Sequence, residues 1–176
     1  MSDILKERWM QWVALTTTIL AVCAAISTLR ASTFSTRATI ATTEENNNWS
    51  YFQAKSIKQH ECEMQRDLFQ LSLMQATDPQ TKAFIEERIK SYEADTQRYD
   101  TEKAEIKGKA ESIAAVEITY KQHSASFGLA AMLLQIAIMM SSVAVLIKRR
   151  ALWAGGLVIG FAGIVYLANG FFMWFG

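Results

Sequence analysis

Residues 46–63, NNNWSYFQAKSIKQHECE, bring His60, Cys62, Glu61, Glu63, Tyr51, Lys55 and Lys58 into one short stretch, side chains that could do chemistry. Two chemistries compete for them. His60, Glu61, Cys62 and Glu63 are metal-ligand types, whereas Tyr51, Lys55 and Lys58 offer cations and a ring to an anionic ligand. A helical wheel separates the metal donors: Trp49, Phe52, Gln53, Ser56 and His60 share one face, and Tyr51, Lys55, Lys58 and Cys62 fall on the other. Only His60 with Glu63 keeps a usable three-residue spacing, and a zinc-type site needs three or four ligands. No metal or other cofactor is therefore expected. Tyr51, Lys55 and Lys58 remain as a face for an anionic polymer, a lipid headgroup or a partner protein.

The elements that carry this stretch follow from where the charges lie. An average of 51 % hydrophobic and 20 % charged residues hides three uncharged runs, Trp9–Leu29, Gln122–Ile147 and Ala151–Gly176. Roughly 20 apolar residues cross a bilayer core of about 30 Å, so each run is long enough to span. The first run follows Lys6 and Arg8 as a secretory leader would, but its 21 residues exceed the usual apolar region of about 7–15, and it is expected to stay as a span. The short loop Lys148, Arg149, Arg150 is of the kind retained in the cytoplasm. That places the N-terminus inside, and residues 30–126 and the C-terminus outside. The middle segment carries 13 Lys and Arg against 15 Asp and Glu, which excludes the basic excess of a nucleic-acid binder.

Pro79 is the only proline, and Asp78 before it can cap the helix that it begins. Leu29 lies 48 residues before Thr77 and Phe127 lies 48 residues after Pro79. Equal arms imply a hairpin with both feet on one membrane face, each arm up to about 70 Å long if helical throughout. The expected architecture is thus an all-α membrane protein. It has transmembrane helices at 9–29, 127–147 and 151–175, a short basic cytoplasmic loop at 148–150, and a long antiparallel, coiled-coil-like hairpin at 30–126 with its tip at 77–79.

On the return arm Ile85, Tyr92, Tyr99, Ile106, Ile113 and Tyr120 recur at every seventh residue, the repeat that keeps one seam facing a partner helix. On the outgoing arm Ile57, Met64 and Leu71 stand seven apart, and folding at Asp78 sets them level with Tyr99, Tyr92 and Ile85, so these six are expected to form the hairpin seam. Lower down the match fails, since Thr43 meets Ile113 and Thr36 meets Tyr120. A large apolar side chain gains about 1.5–3 kcal/mol on burial, so Ile113 and Tyr120, with Phe34 and Ile40, are expected to meet neighbouring subunits. Trp49 and Phe52 are expected to plug the hairpin near Ile106.

The string Trp49, Tyr51, Phe52, Gln53, Ala54, Lys55, then a long charged helix, a span, a basic loop leading to Trp153 and a glycine-rich last span, resembles a bacterial membrane family catalogued as domain of unknown function 4337. The likeness covers nearly the whole chain. It implies the same topology and brings no activity with it. This chain departs from the family in its Ser and Thr after the first span, which leaves residues 30–48 the stretch least committed to helix.

Within the spans, Gly156 and Gly160 sit one turn apart and let another backbone approach, which makes them further candidates for subunit contact. No ionisable side chain lies inside a span. Gln135 and Asn169 are the amides deep enough to line a pore. Cys23 in a span and Cys62 on an arm are too far apart to bridge. The sequence contains no nucleophile paired with a base, no phosphate loop and no carboxylate pair in a cleft, so catalysis is not expected. The expectation is a multi-pass protein of the bacterial cytoplasmic (inner) membrane. It would act as a homo-oligomeric scaffold among membrane lipids, offering its hairpin tip to an envelope protein or the cell wall. The alternative is a pore or transport component with the hairpins as a vestibule.

Overall fold

The computed structural model describes residues 2–174, with side chains from Arg8 onward. The side chain of Lys6 and the residue Phe175, the expected end of the third span, lie outside the described residues. The described chain is all-helical: α1 is Ser2–Gln75, α2 Pro79–Ile147 and α3 Arg150–Phe172. Each helix contains a stretch long and apolar enough to cross a membrane, and on that composition this is a membrane protein.

Helix α1 runs unbroken through the Ser- and Thr-rich residues 30–48. The hydroxyls there do not pull the backbone into turns, because they hand their protons back along the helix. Thr33 donates to the Leu29 carbonyl at 2.8 Å, Thr36 to Ser32 and Thr39 to Ser35 at 3.0 Å. The helix stops after Gln75. Helix α2 starts where the Asp78 carboxylate accepts the Thr81 backbone N–H at 2.9 Å and the Thr81 hydroxyl at 2.8 Å. The α2–α3 corner closes with Lys148 in the left-handed region, φ 57°. The Arg149 N–H bonds the Ala144 carbonyl and the Lys148 N–H bonds Val145, the Schellman pairing usually built on glycine.

A seven-residue frame runs along both long helices. In α1 every seventh residue from Val13 through Leu20, Ser27, Phe34 and Ala41 to Phe69 is buried or half-buried, as is every seventh from Ala24 to Leu73. In α2 the frame runs from Ile85 to Tyr120 and continues into the span as Phe127, Leu134 and Ser141. The chain divides into two compact units, and α1 and α2 contribute to both. One is Ile40–Val116; the other joins Met1–Thr39 with Glu117–Gly176.

In the span unit, α3 packs against α2 through a ladder of glycines. A Cβ on Gly156 would meet the Ala137 carbonyl at 3.2 Å, one on Gly163 the Leu134 side chain at 2.8 Å, and one on Gly170 the Phe127 ring at 2.7 Å. Gly156, Gly163 and Gly170 are seven apart, and so are the residues they receive, Ser141, Leu134 and Phe127. Side chains on α2 therefore enter holes on α3 that only glycine leaves open. Gly160 admits Leu20 of α1, whose Cδ2 would lie 2.9 Å from an added Cβ, and the buried cluster of Leu20, Ala24, Leu134 and Ala137 joins α1 to α2, with Ile159 of α3 packed against it. Gly156 and Gly160 are thus contacts within the chain, which corrects their expected place between subunits.

Phe34 and Tyr120 need the same correction. They lie 6.2 Å apart, ring centre to ring centre, and Phe34 also stacks on His123 at 4.6 Å and on Phe127 at 5.8 Å. The frame read from Ile57 put Thr36 opposite Tyr120. The frame the helix uses presents Phe34, so the apparent gap is filled within the chain.

Candidate functional site

The hairpin unit pairs residues 40–75 of α1 with residues 79–116 of α2 in antiparallel fashion, and residues 46–63 lie along its middle. On the return arm Ile85, Ile89, Ile106 and Ala110 are buried, and Tyr92 stacks on Phe69 at 5.8 Å. Opposite them α1 turns a mixed face, with Phe52, Gln59, Arg66 and Leu73 in one seven-residue series and Lys55, Cys62 and Phe69 in the other. Ile57, Met64 and Leu71, the expected partners of Tyr99, Tyr92 and Ile85, are each at least half exposed. The levels along the hairpin agree with the fold at Asp78, but the helix is rotated, so the apolar series faces outward and the polar one inward.

Polar groups across this seam are matched one to another. The Lys55 ammonium lies 2.5 Å from the Glu102 carboxylate, with the Lys55 side chain 16 % exposed. It also sits over the rings of Tyr51 and Tyr99, at 5.3 and 5.4 Å from their centres. One turn on, the buried Gln59 amide donates to Asp100 at 3.0 Å and to Glu63 at 3.2 Å, and Lys103 reaches Asp100 at 3.4 Å while lying over the Phe52 ring. The Lys55 contact holds the Glu102 carboxyl below the usual carboxylate range and raises Lys55 above the usual lysine value, so both stay charged at neutral pH. Trp49 meets Phe52 edge to face at 5.7 Å and donates its indole N–H to Glu45.

This arrangement binds one arm to the other; it leaves Lys55 no part in an outward cationic face. Tyr51 and Lys58 are exposed, but Lys55 between them is committed to Glu102. His60 is exposed, with Nδ1 3.6 Å from Glu63, while Cys62 on the other side is half-buried. Burial first, then the charge of Asp95, pushes the Cys62 thiol up, away from the thiolate that would act as ligand or nucleophile. Ile113 is half-buried and Ile40 exposed. Gln59, Asp100, Glu102 and Lys103 were missed by a reading that followed apolar residues alone. The signal for them was the seven-residue spacing of Phe52, Gln59, Arg66 and Leu73, together with the complementary charges of Lys55 and Glu102 at equal distances from the turn.

In the span unit the two deep amides part company. Asn169 is buried and donates to the Ser126 hydroxyl at 3.0 Å, so it faces its own helix pair. Gln135 is exposed on the outer side of α2. Near the feet of the spans His123 Nδ1 lies 2.8 Å from the Gly170 carbonyl and Arg30 lies over the Phe171 ring.

Residues 9–173 match the family model described as Domain of unknown function (DUF4337). The chain belongs to that family. The match takes in the whole glycine ladder and the whole hairpin of this DUF4337 member. No curated protein and no solved structure matches it.

Proposed function

We propose that this DUF4337 protein is a membrane scaffold: a homo-oligomer of the bacterial inner membrane that presents its helical hairpin to a partner outside the bilayer. The observation that carries the reading is the outward stripe of Ile57, Met64, Leu68 and Leu71 on α1, each at least half exposed in a segment dense with charge. Lys55 and Gln59 of the same segment are spent across the hairpin seam, on Glu102 and Asp100. An exposed apolar stripe flanked by charged side chains is suited to docking another helix or an envelope protein. The unbranched thioether of Met64 can adapt to a surface that is not itself a regular helix. The basic loop at Lys148, Arg149 and Arg150 supports the orientation with the N-terminus in the cytoplasm and the hairpin outside. A pore reading, which a ring of Asn169 or Gln135 at a symmetry axis would favour, draws no support from Asn169, whose amide is bonded to Ser126.

The test is a photo-crosslinking residue at Leu68 in living cells, combined with labelling of a Gln70→Cys variant, lacking Cys23 and Cys62, by a membrane-impermeant maleimide. Scaffold function predicts a discrete crosslinked adduct and labelling of intact spheroplasts. The absence of any adduct from a chain that migrates as a monomer in native membrane discs would overturn it.

A further inference from the structure

We infer that the outer face of the second span is a self-association seam, closed by Gln135 of one copy meeting Gln135 of another. This rests on the oligomeric reading above and names the surface that reading lacks.

Three observations meet here. First, the hydroxyls deep in the spans and the amide of Asn169 are satisfied inside the chain: Thr16, Thr17, Thr18, Ser27, Thr28 and Ser141 each donate to a carbonyl about one turn back, and Asn169 bonds to Ser126. Gln135 differs. It lies about 12 Å in from Phe127, is exposed, and among the described residues its amide has no hydrogen-bond partner. Hydrocarbon offers it none, which makes a lipid-facing amide costly.

Second, Gln135 sits in a seam of its own. Gly128, Gln135 and Ser142 recur every seventh residue, and so do Met132, Met139 and Leu146. The two series interleave with the three- and four-residue spacing of a coiled-coil face. Met132, Met139 and Leu146 are each more than half exposed, and a Cβ built on Gly128 meets nothing within 4 Å. This face lies well round the helix from Phe127, Leu134 and Ser141, which are spent on the glycine ladder.

Third, the occupant is set by hydrogen-bond complementarity. An amide is both donor and acceptor, and copies of one membrane protein share one orientation. Two second spans packed in parallel bring position 135 opposite position 135, where each amide can donate to the other. Gly128 and Ser142, small and on the same series, let the helices approach above and below it.

The test has two parts. In native membranes, with Cys23 and Cys62 replaced by alanine, single cysteines at Gln135, Met139 and Ser142 are oxidised beside controls at the exposed α3 positions Val158 and Phe161. Disulfides between two copies of the chain are expected at positions 135 and 142, and none at 158 or 161. In otherwise native protein reconstituted in bilayers, energy transfer between labelled copies is expected to show Gln135→Leu weakening association on the order of tenfold, with Gln135→Asn retaining most of it. Unchanged or tighter association of Gln135→Leu overturns the proposal, as does an adduct of position 135 with a different protein. Crosslinks at 158 or 161 without any at 135 and 142 overturn the seam and leave the oligomeric reading standing. A chain that is monomeric throughout removes both.

Discussion

The hairpin unit and the span unit use the same seven-residue frame, yet they fill it with opposite materials. In α2 the series Ile85, Tyr92, Tyr99 and Ile106 gives way, without loss of phase, to Phe127, Leu134 and Ser141. In water the partner face is made of Phe52, Lys55, Gln59 and Phe69, where apolar contact and matched charge both distinguish the seam from solvent. In lipid the partner face is Gly156, Gly163 and Gly170. Apolar surface gains little there over lipid contact, and only close approach distinguishes a protein neighbour from an acyl chain. One frame is therefore specified by chemistry in the hairpin and by shape in the spans.

The largest effect should come from exchanging the face on which the hairpin depends. Ile106 is buried and Ile57 exposed, although both belong to apolar seven-residue series. Ile106→Ala is expected to cost about 3 kcal/mol of hairpin stability, through lost burial and the cavity left behind. Ile57→Ala should stay within about 0.5 kcal/mol. Thermal unfolding of the two variants in the same detergent checks this, and equal losses would mean that α1 presents its Ile57 face to α2 after all.

A smaller effect, but one of opposite sign in the two units, is expected from adding one methyl group. Gly163→Ala drives a Cβ to 2.8 Å from Leu134, a residue with no exposed surface, and should cost about 2 kcal/mol as α3 is pushed off α2. Gly108→Ala in the hairpin meets nothing within 4 Å and should stabilise by about 0.5–1 kcal/mol, because glycine is the poorer helix former. Tryptophan emission from Trp153 follows the first change and melting of the hairpin helices the second. A stabilising Gly163→Ala would remove the shape argument for the spans.

The same contrast explains what could be read before the fold was known. Three uncharged runs, a lone proline and two arms of equal length carry the elements, because membrane crossing and helix starts are set by composition and local stereochemistry. The return arm was legible because its seam is written in Ile and Tyr. The outgoing arm was not, since its seam contains Lys55, Gln59 and Arg66, which look like surface until their partners Glu102 and Asp100 are brought level. Ile57, Met64 and Leu71 show the converse: perfect spacing on a face that α2 does not cover. Glycine spacing marked close approach in the spans. It carried no information on whether the neighbour was the same chain or another, and Leu134 and Phe127 settle that for Gly163 and Gly170.

The smallest effect expected is the pH response, which should be stronger at the Lys55–Glu102 seam than at the seam of Gly156 and Gly163. Glu102 lies below its ordinary 4.5 because Lys55 donates to it, and Lys55 lies above its ordinary 10.5 through the same contact. A carboxyl with a depressed folded pKa binds fewer protons folded than unfolded. Its contribution is present above pH 4.5 and is lost as pH falls through the lower folded value. For Lys55 the sign reverses: the contribution is present below pH 10.5 and is lost as pH rises through the higher folded value. Arg98 and Lys58 also hold Glu102 ionised, and Asp78, depressed by the Thr81 N–H that it accepts, adds a second acid-sensitive group at the tip. Between pH 7 and pH 3 the hairpin should therefore lose thermal stability, with part of the loss abolished in Glu102→Gln and a separate part in Asp78→Asn, which keeps a capping side chain. The glycine seam from Gly156 to Gly163 holds no ionisable group facing α2, so emission from Trp153 should stay constant while emission from Trp49 moves. If Trp153 responds as strongly as Trp49, or if Glu102→Gln leaves the acid loss intact, charge pairing is not what distinguishes the hairpin seam from the seam in the spans.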